Sequence, residues 1–226
     1  MRLHWRTELV QWLVLAGMLV VAAASWRGAP DRIPVHWNVR GQVDDYAGKF
    51  EGLFGIPLLA LGVYLLFLVV PRIDPGRANY QRFTTAYHTL RVAMVMFFAA
   101  IYGVIVLWSR GIEVSVSTLV PLLVGALFVV FGNLLGKVRP NWFFGIRTPW
   151  TLSSKLAWTR THRAGGWFFV ILGFAFMLAG LLRVPWFSIA AMVALFAGTV
   201  GLAIYSYCVW RTDPDKIPPS GTLPGP

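Results

Sequence analysis

The residues most able to do chemistry in this chain fall in two stretches. The first, PDRIPVHWNVRGQVDDYAGKF (30–50), brings His36 within nine residues of Asp44 and Asp45. A histidine nitrogen and aspartate oxygens could hold a divalent cation, and the same acids could hold a cationic peptide. The competing reading is that His36 and Asp44 satisfy loop backbone groups while Trp37 and Tyr46 sit at a membrane interface. Two adjacent acids cannot face one site in an extended strand, and one histidine is a poor metal signature. His36, Asp44 and Asp45 are therefore weak metal ligands, whether a metal binds stays open, and no cofactor is indicated.

The second stretch, NWFFGIRTPWTLSSKLAWTRTHRAGG (141–166), has four Lys or Arg, three Trp and no acid. Gly136, Pro140, Gly145 and Pro149 break the approach to it into turns, and Thr151 to Arg163 has the pattern of one short helix with Thr151 or Ser153 as N-cap. Trp158 and His162, four apart, would share a face of that helix. Lys155, Arg160 and Arg163 could reach lipid phosphates, so a helix lying on the membrane surface is one reading. The other is that Arg139 and Arg147, carried on turns, grip an anionic group of a partner or bracket the helix ends. Asn133, an amide near the end of an apolar run, calls for a hydrogen-bonding partner. Nothing matches His-Glu-x-x-His, Gly-x-Ser-x-Gly or a phosphate-binding glycine loop, and no catalytic step is expected.

These stretches connect segments that composition assigns to a membrane. The chain is 57% hydrophobic and 13% charged, with 11 Trp in 226 residues, too apolar for a soluble domain. Apolar runs free of Asp, Glu, Lys and Arg occupy Leu9–Ser25, Leu53–Val70, Val92–Trp108, Leu119–Leu135, Trp167–Leu182 and Val184–Trp210. The expected fold is an all-α bundle of six transmembrane helices, with a structured loop between the first two and a basic aromatic loop between the fourth and fifth. The single cysteine, Cys208, excludes a disulfide framework.

The basic residues sit in the connections. With both termini cytoplasmic, fourteen of the 20 Lys and Arg lie inside, as the positive-inside rule requires; direct nucleic-acid binding is not expected despite the charge of +11. Residues 1–25 also have the pattern of a signal peptide, although a retained helix fits the charge count better. Arg77, Arg82 and Arg91 read as snorkelling to lipid phosphates. The Pro- and Gly-rich segment 212–226 reads as a disordered cytoplasmic tail.

Asn133-x-x-Gly136-x-x-Arg139-x-Asn141, Gly145-Ile146-Arg147-Thr148-Pro149-Trp150-Thr151-Leu152 and Trp158-x-x-Thr161-His162-Arg163 together resemble the signature of the SdpI immunity-protein family. Pro34-x-His36-Trp37-Asn38-x-x-Gly41-x-x-Asp44-x-Tyr46-x-x-Lys49 is similar to the domain of unknown function DUF1648 that precedes it. On this resemblance, 1–85 is a DUF1648-like region containing the outside loop 26–52, and 86–211 is an SdpI-like four-helix region. It implies a multi-pass protein of the bacterial plasma membrane that protects its host from a secreted peptide toxin, and a sensor that recruits a cytoplasmic winged-helix repressor. His36, Trp37, Asn38, Gly41, Asp44, Tyr46 and Lys49 would face the toxin; Asn133, Arg139, Asn141, Gly145, Arg147, Thr148, Trp150, Trp158, Thr161 and His162 would form the cytoplasmic motif. Two other classes stay open. A small transporter would need polar groups at membrane depth, where the runs offer Gln11, Asn133, Thr199 and Ser206 but no carboxylate. A membrane-embedded, metal-dependent enzyme would draw on His36 with Asp44, or on His88 or His162.

Overall fold

The computed structural model describes residues 5–217; Arg2 and the tail beyond Ile217 lie outside the described residues. Six helices are long and apolar enough to cross a membrane. They are α1 (Trp5–Ser25), α2 (Lys49–Ile73), α3 (Thr84–Ser109), α4 (Val116–Leu135), α6 (Lys155–Leu182) and α7 (Pro185–Arg211). A short α5 (Pro149–Leu152) precedes α6, and a two-stranded antiparallel hairpin, β1 (Arg32–Trp37) with β2 (Val43–Gly48), joins α1 to α2. The chain is a multi-pass membrane protein. The hairpin caps one end of the bundle; the connections α2–α3 and α4–α6 form the other, called here the loop end.

Local sequence explains the hairpin. The Asn38 side-chain carbonyl accepts from the backbone N–H of Arg40 (2.9 Å) and Gln42 (3.2 Å), and Gly41 takes φ +77°, which its missing Cβ permits. Ile33 is fully buried against Gly52 of α2, where a Cβ would lie 2.6 Å from that of Ile33. Trp37 meets Trp108 of α3 edge-on at 5.7 Å. The hairpin is thus seated on the ends of α2 and α3.

Two kinds of packing hold the helices. Around α1, α2 and α3 side chains interlock, with Leu15, Met18, Leu53, Ala60, Val95 and Ile105 in one core. Between α4 and α6 the backbones themselves meet: a Cβ on Gly132 would lie 2.5 Å from the Gly166 carbonyl, and one on Gly173 would lie 2.6 Å from that of Gly125. Small residues permit such an approach between apolar helices, where lipid offers no competing hydrophobic force. Pro71 shows another local effect. Lacking an N–H, it leaves the Phe67 carbonyl without its helical donor, and the Tyr87 hydroxyl of α3 donates there instead at 2.8 Å.

The structure corrects several boundaries. The fifth span begins at Lys155 rather than Trp167, so the segment to Arg163 is the first part of a transmembrane helix and not a separate surface helix. Gly165 and Gly166 look like a break, but both are buried in contact with α4, which repays their low helix propensity of about 1 kcal/mol each. The caps also move: Thr148 caps α5 and Ser154 caps α6, in place of Thr151 or Ser153. Finally, the tail expected to be disordered from 212 begins docked. Ser154 donates its hydroxyl to buried Asp213, and the Ile217 N–H donates to the Ser153 carbonyl at 2.9 Å.

Candidate functional site

On the hairpin, His36 and Asp44 face each other across the strands, Nδ1 to Oδ1 at 2.6 Å, and both are exposed. Asp45 turns away and accepts from the Tyr46 N–H at 2.8 Å. Two donors are therefore brought together, and the third weak ligand is not. Among the described residues no group of three or more His, Cys, Asp or Glu could hold a metal ion. Tyr46 is exposed beneath the Arg32 guanidinium at 5.8 Å. Lys49, the first residue of α2, lies over the Trp26 ring at 5.7 Å. Gly41 and Asn38 shape the turn, and Trp37 is anchored below it.

At the loop end seven of the ten predicted residues are buried or half-buried. Asn141 is buried and fully used: its amide donates to the carbonyls of Arg139 and Phe144 (both 2.9 Å) and its oxygen accepts from the N–H of Phe143 (3.0 Å) and Phe144 (2.6 Å). His162 is buried, stacked on Trp158 at 4.0 Å. Its Nε2 accepts from the Ile146 N–H at 3.1 Å, which leaves Nδ1 as the protonated nitrogen, donating to the Trp158 carbonyl at 2.8 Å. Gly145, at φ +108°, runs so close to this ring that a Cβ would overlap Nε2. Trp158 donates its indole N–H to the Val138 carbonyl at 3.0 Å.

Thr148 and Thr151 cap reciprocally, with N–H to hydroxyl distances of 2.9 and 3.1 Å, and the Thr148 hydroxyl reaches Ser206 of α7 at 2.9 Å. Trp150 packs on Tyr207 of α7 at 5.2 Å. Thr161 is buried with no hydrogen-bond partner for its hydroxyl among the described residues. Asn133 stands apart, exposed, donating to the Val129 carbonyl of its own helix. The motif's arginines, Arg139, Arg147 and Arg163, are exposed, and Arg147 donates to the Trp142 carbonyl at 2.6 Å. The shared face of Trp158 and His162 is as expected from spacing; its burial in the bundle overturns the surface-helix reading.

The model of the SdpI/YfhL protein family matches residues 137–209, and that of the domain of unknown function DUF1648 matches residues 13–61. The chain is also 22% identical over 182 residues to the immunity protein SdpI of Bacillus subtilis (strain 168), covering 80% of this chain and 85% of that protein. The chain belongs to the SdpI family. No solved structure matches it. In this SdpI-family chain the DUF1648 range contains most of α1, the hairpin and the first half of α2, and the SdpI/YfhL range contains the inward-facing loop, α5, α6 and nearly all of α7.

Two polar centres, built on Glu8 with Arg91 and on Asp74, all outside both matched ranges, were not expected from the sequence. Arg91 does not snorkel. It is buried in α3, and its Nη2 lies 2.5 Å from Oε1 of Glu8, equally buried in α1. The other Glu8 oxygen accepts from Gln11 (3.1 Å) and from the Tyr64 hydroxyl of α2 (3.0 Å). A buried carboxylate therefore exists, against the sequence reading, but it is held by a guanidinium and two further donors. Glu8 fell just outside an apolar run and its partner is 83 residues away, so no local pattern revealed the pair. The second centre is Asp74 at the end of α2. Its carboxylate accepts from the Gly76 N–H (2.5 Å), the Tyr80 hydroxyl (2.7 Å) and the Trp142 N–H (3.1 Å), joining the α2–α3 connection to the α4–α6 loop. Burial pushes the Tyr80 hydroxyl pKa up, and the adjacent Asp74 carboxylate raises it further.

Proposed function

We propose that this chain is an immunity protein of the bacterial plasma membrane that protects its cell from a secreted, membrane-active peptide, with both termini cytoplasmic and the hairpin outside. The observation that carries the reading is the hairpin surface: a carboxylate and imidazole in contact, with an exposed tyrosine beside them, on the face opposite the basic connections. Such a surface suits a cationic, amphipathic peptide arriving from outside. The relative's printed name, immunity protein SdpI, supports the same reading. No catalytic step is part of it. The transporter reading is not favoured, because the one carboxylate buried among the spans is neutralised by Arg91.

The finer reading adds sensing. Arg147, with exposed Trp142 and Phe143, forms the surface that a cytoplasmic winged-helix repressor would meet, and the buried loop beneath holds that surface in place. The test is survival of a sensitive bacterium under a membrane-active peptide toxin at matched membrane levels of protein. Wild type should protect, and His36→Ala/Asp44→Ala should not. Arg147→Ala should keep protection and lose toxin-induced transcription if sensing is separate from shielding. Absence of protection by wild type against every toxin tried, including one encoded beside the native gene, would end the immunity reading.

A further inference from the structure

At the loop end, where the α2–α3 connection meets the end of α4, a cleft of roughly 400 Å³ is lined by Gln81, Arg82, Thr84, Thr85, Lys137 and Arg139, with no acid in its wall. None of the three cations is in an ion pair, and none of their side chains donates a hydrogen bond within the described residues. Asp74, the acid of the neighbouring connection, is already taken up by Gly76, Tyr80 and Trp142. Three positive groups drawn from two connections therefore converge on one cleft without a counter-ion. Like charges held together repel, and an anion is what such a cleft lacks.

Its level in the bundle says which anion. Arg82 comes two residues before α3, and Lys137 two residues after α4, a helix of 20 residues. About 20 helical residues cross a hydrocarbon core, so both cations emerge at the depth of the headgroup phosphates. Arg82 and Arg139 also line a larger groove of about 1070 Å³ that adds Lys155 and the apolar Leu152 and Leu156, giving room beyond a phosphate for the rest of a ligand. The acids on that groove, Asp213 and Asp215, line only this larger space.

We propose that the cleft is a binding site for the phosphate group of an anionic ligand, with Arg82, Arg139 and Lys137 as its charged contacts and the Gln81 amide and Thr85 hydroxyl as further donors. This site is independent of the toxin-facing hairpin and of the immunity reading. A phospholipid headgroup and a soluble phosphate share the chemistry, and the test separates them. The full chain in detergent is titrated with phosphatidylglycerol, with phosphatidylcholine and with inorganic phosphate, and occupancy is read by native mass spectrometry.

Preferential binding of phosphatidylglycerol is expected, weakened about five-fold for each cation removed in Arg82→Gln, Arg139→Gln and Lys137→Gln. The charge-matched pair Arg27→Gln/Arg110→Gln, at the hairpin end, should leave it unchanged. Displacement of the lipid by millimolar inorganic phosphate would support the site and assign it to soluble phosphates. Equal binding of the two lipids without phosphate binding, or equal loss in the hairpin-end pair, would overturn the proposal. Should an arginine variant lose helical circular dichroism, Lys137→Gln decides, because that side chain makes no hydrogen bond or ion pair among the described residues.

Discussion

The two ends of the bundle spend their polar residues in opposite ways. Of the buried polar and charged residues, Glu8, Gln11, Asp74, Arg91, Asn141, Thr151, Ser154, Thr161, His162, Ser206 and Asp213 all lie toward the loop end, and Ser109 alone lies near the hairpin. At the hairpin, His36, Asp44, Asp45 and Tyr46 remain exposed. A polar group whose bonds are all made inside the protein holds structure and has little left for a partner; an exposed one with a single light contact has capacity to bind. The motif that looked like a binding site is thus largely a lock, and the hairpin is largely a surface.

The strongest way to break that contrast is Glu8→Gln. It leaves the Arg91 guanidinium buried without its counter-charge, which should cost about 3–5 kcal/mol, read as a large fall in Tm in detergent and in membrane yield. Glu8→Arg combined with Arg91→Glu should recover part of the loss; no recovery would mean that shape, not charge, matters there. Next comes Gly145→Ala. The φ of +108° and the contact with His162 predict a loss of about 1–3 kcal/mol, with faster hydrogen exchange at the Ile146 amide. At the hairpin, Asp44→Asn should change stability by less than about 1 kcal/mol, the range for an exposed pair, while abolishing protection. A comparable fall in Tm would erase the distinction between the ends.

The smallest effect is local. The Ser154 hydroxyl, followed by the Asp215 N–H, holds the Asp213 carboxyl pKa below its ordinary value of 3.8. A depressed carboxylate stabilises the docked segment above that value and ceases to do so as pH falls through the lower, folded one. The protection factor of the Ile217 amide, whose N–H bonds to Ser153, should therefore fall as pH drops below 3.8.

Much of the fold was legible because lipid imposes a coarse rule: charge-free runs must span, and Lys and Arg must flank them. A structured loop between the first two spans was legible from its composition, and the shared face of Trp158 and His162 from helical spacing. Less legible was the start of the fifth span, because Lys155, Arg160 and Arg163 made a helical turn look like a surface segment. Its opposite face, carrying Ala157, Trp158, Thr161 and His162, is buried, and hydropathy averaged along a chain does not separate two faces. Arg91 was misread for the same reason, since a window sees an arginine at the edge of an apolar run and not the acid on another helix.

By itself, then, the sequence determined the membrane class, the number of spans and the local turns, all set by composition and by residues a few positions apart. Tertiary structure alone decided which polar residues are consumed inside the protein: the Glu8–Arg91 pair, the Trp142 N–H on Asp74 and the Ile146 N–H on His162 join residues 16 to 83 positions apart. The physical reason is that a buried polar group is satisfied only by a partner within about 3 Å, and chain separation says nothing about that distance until the helices have packed.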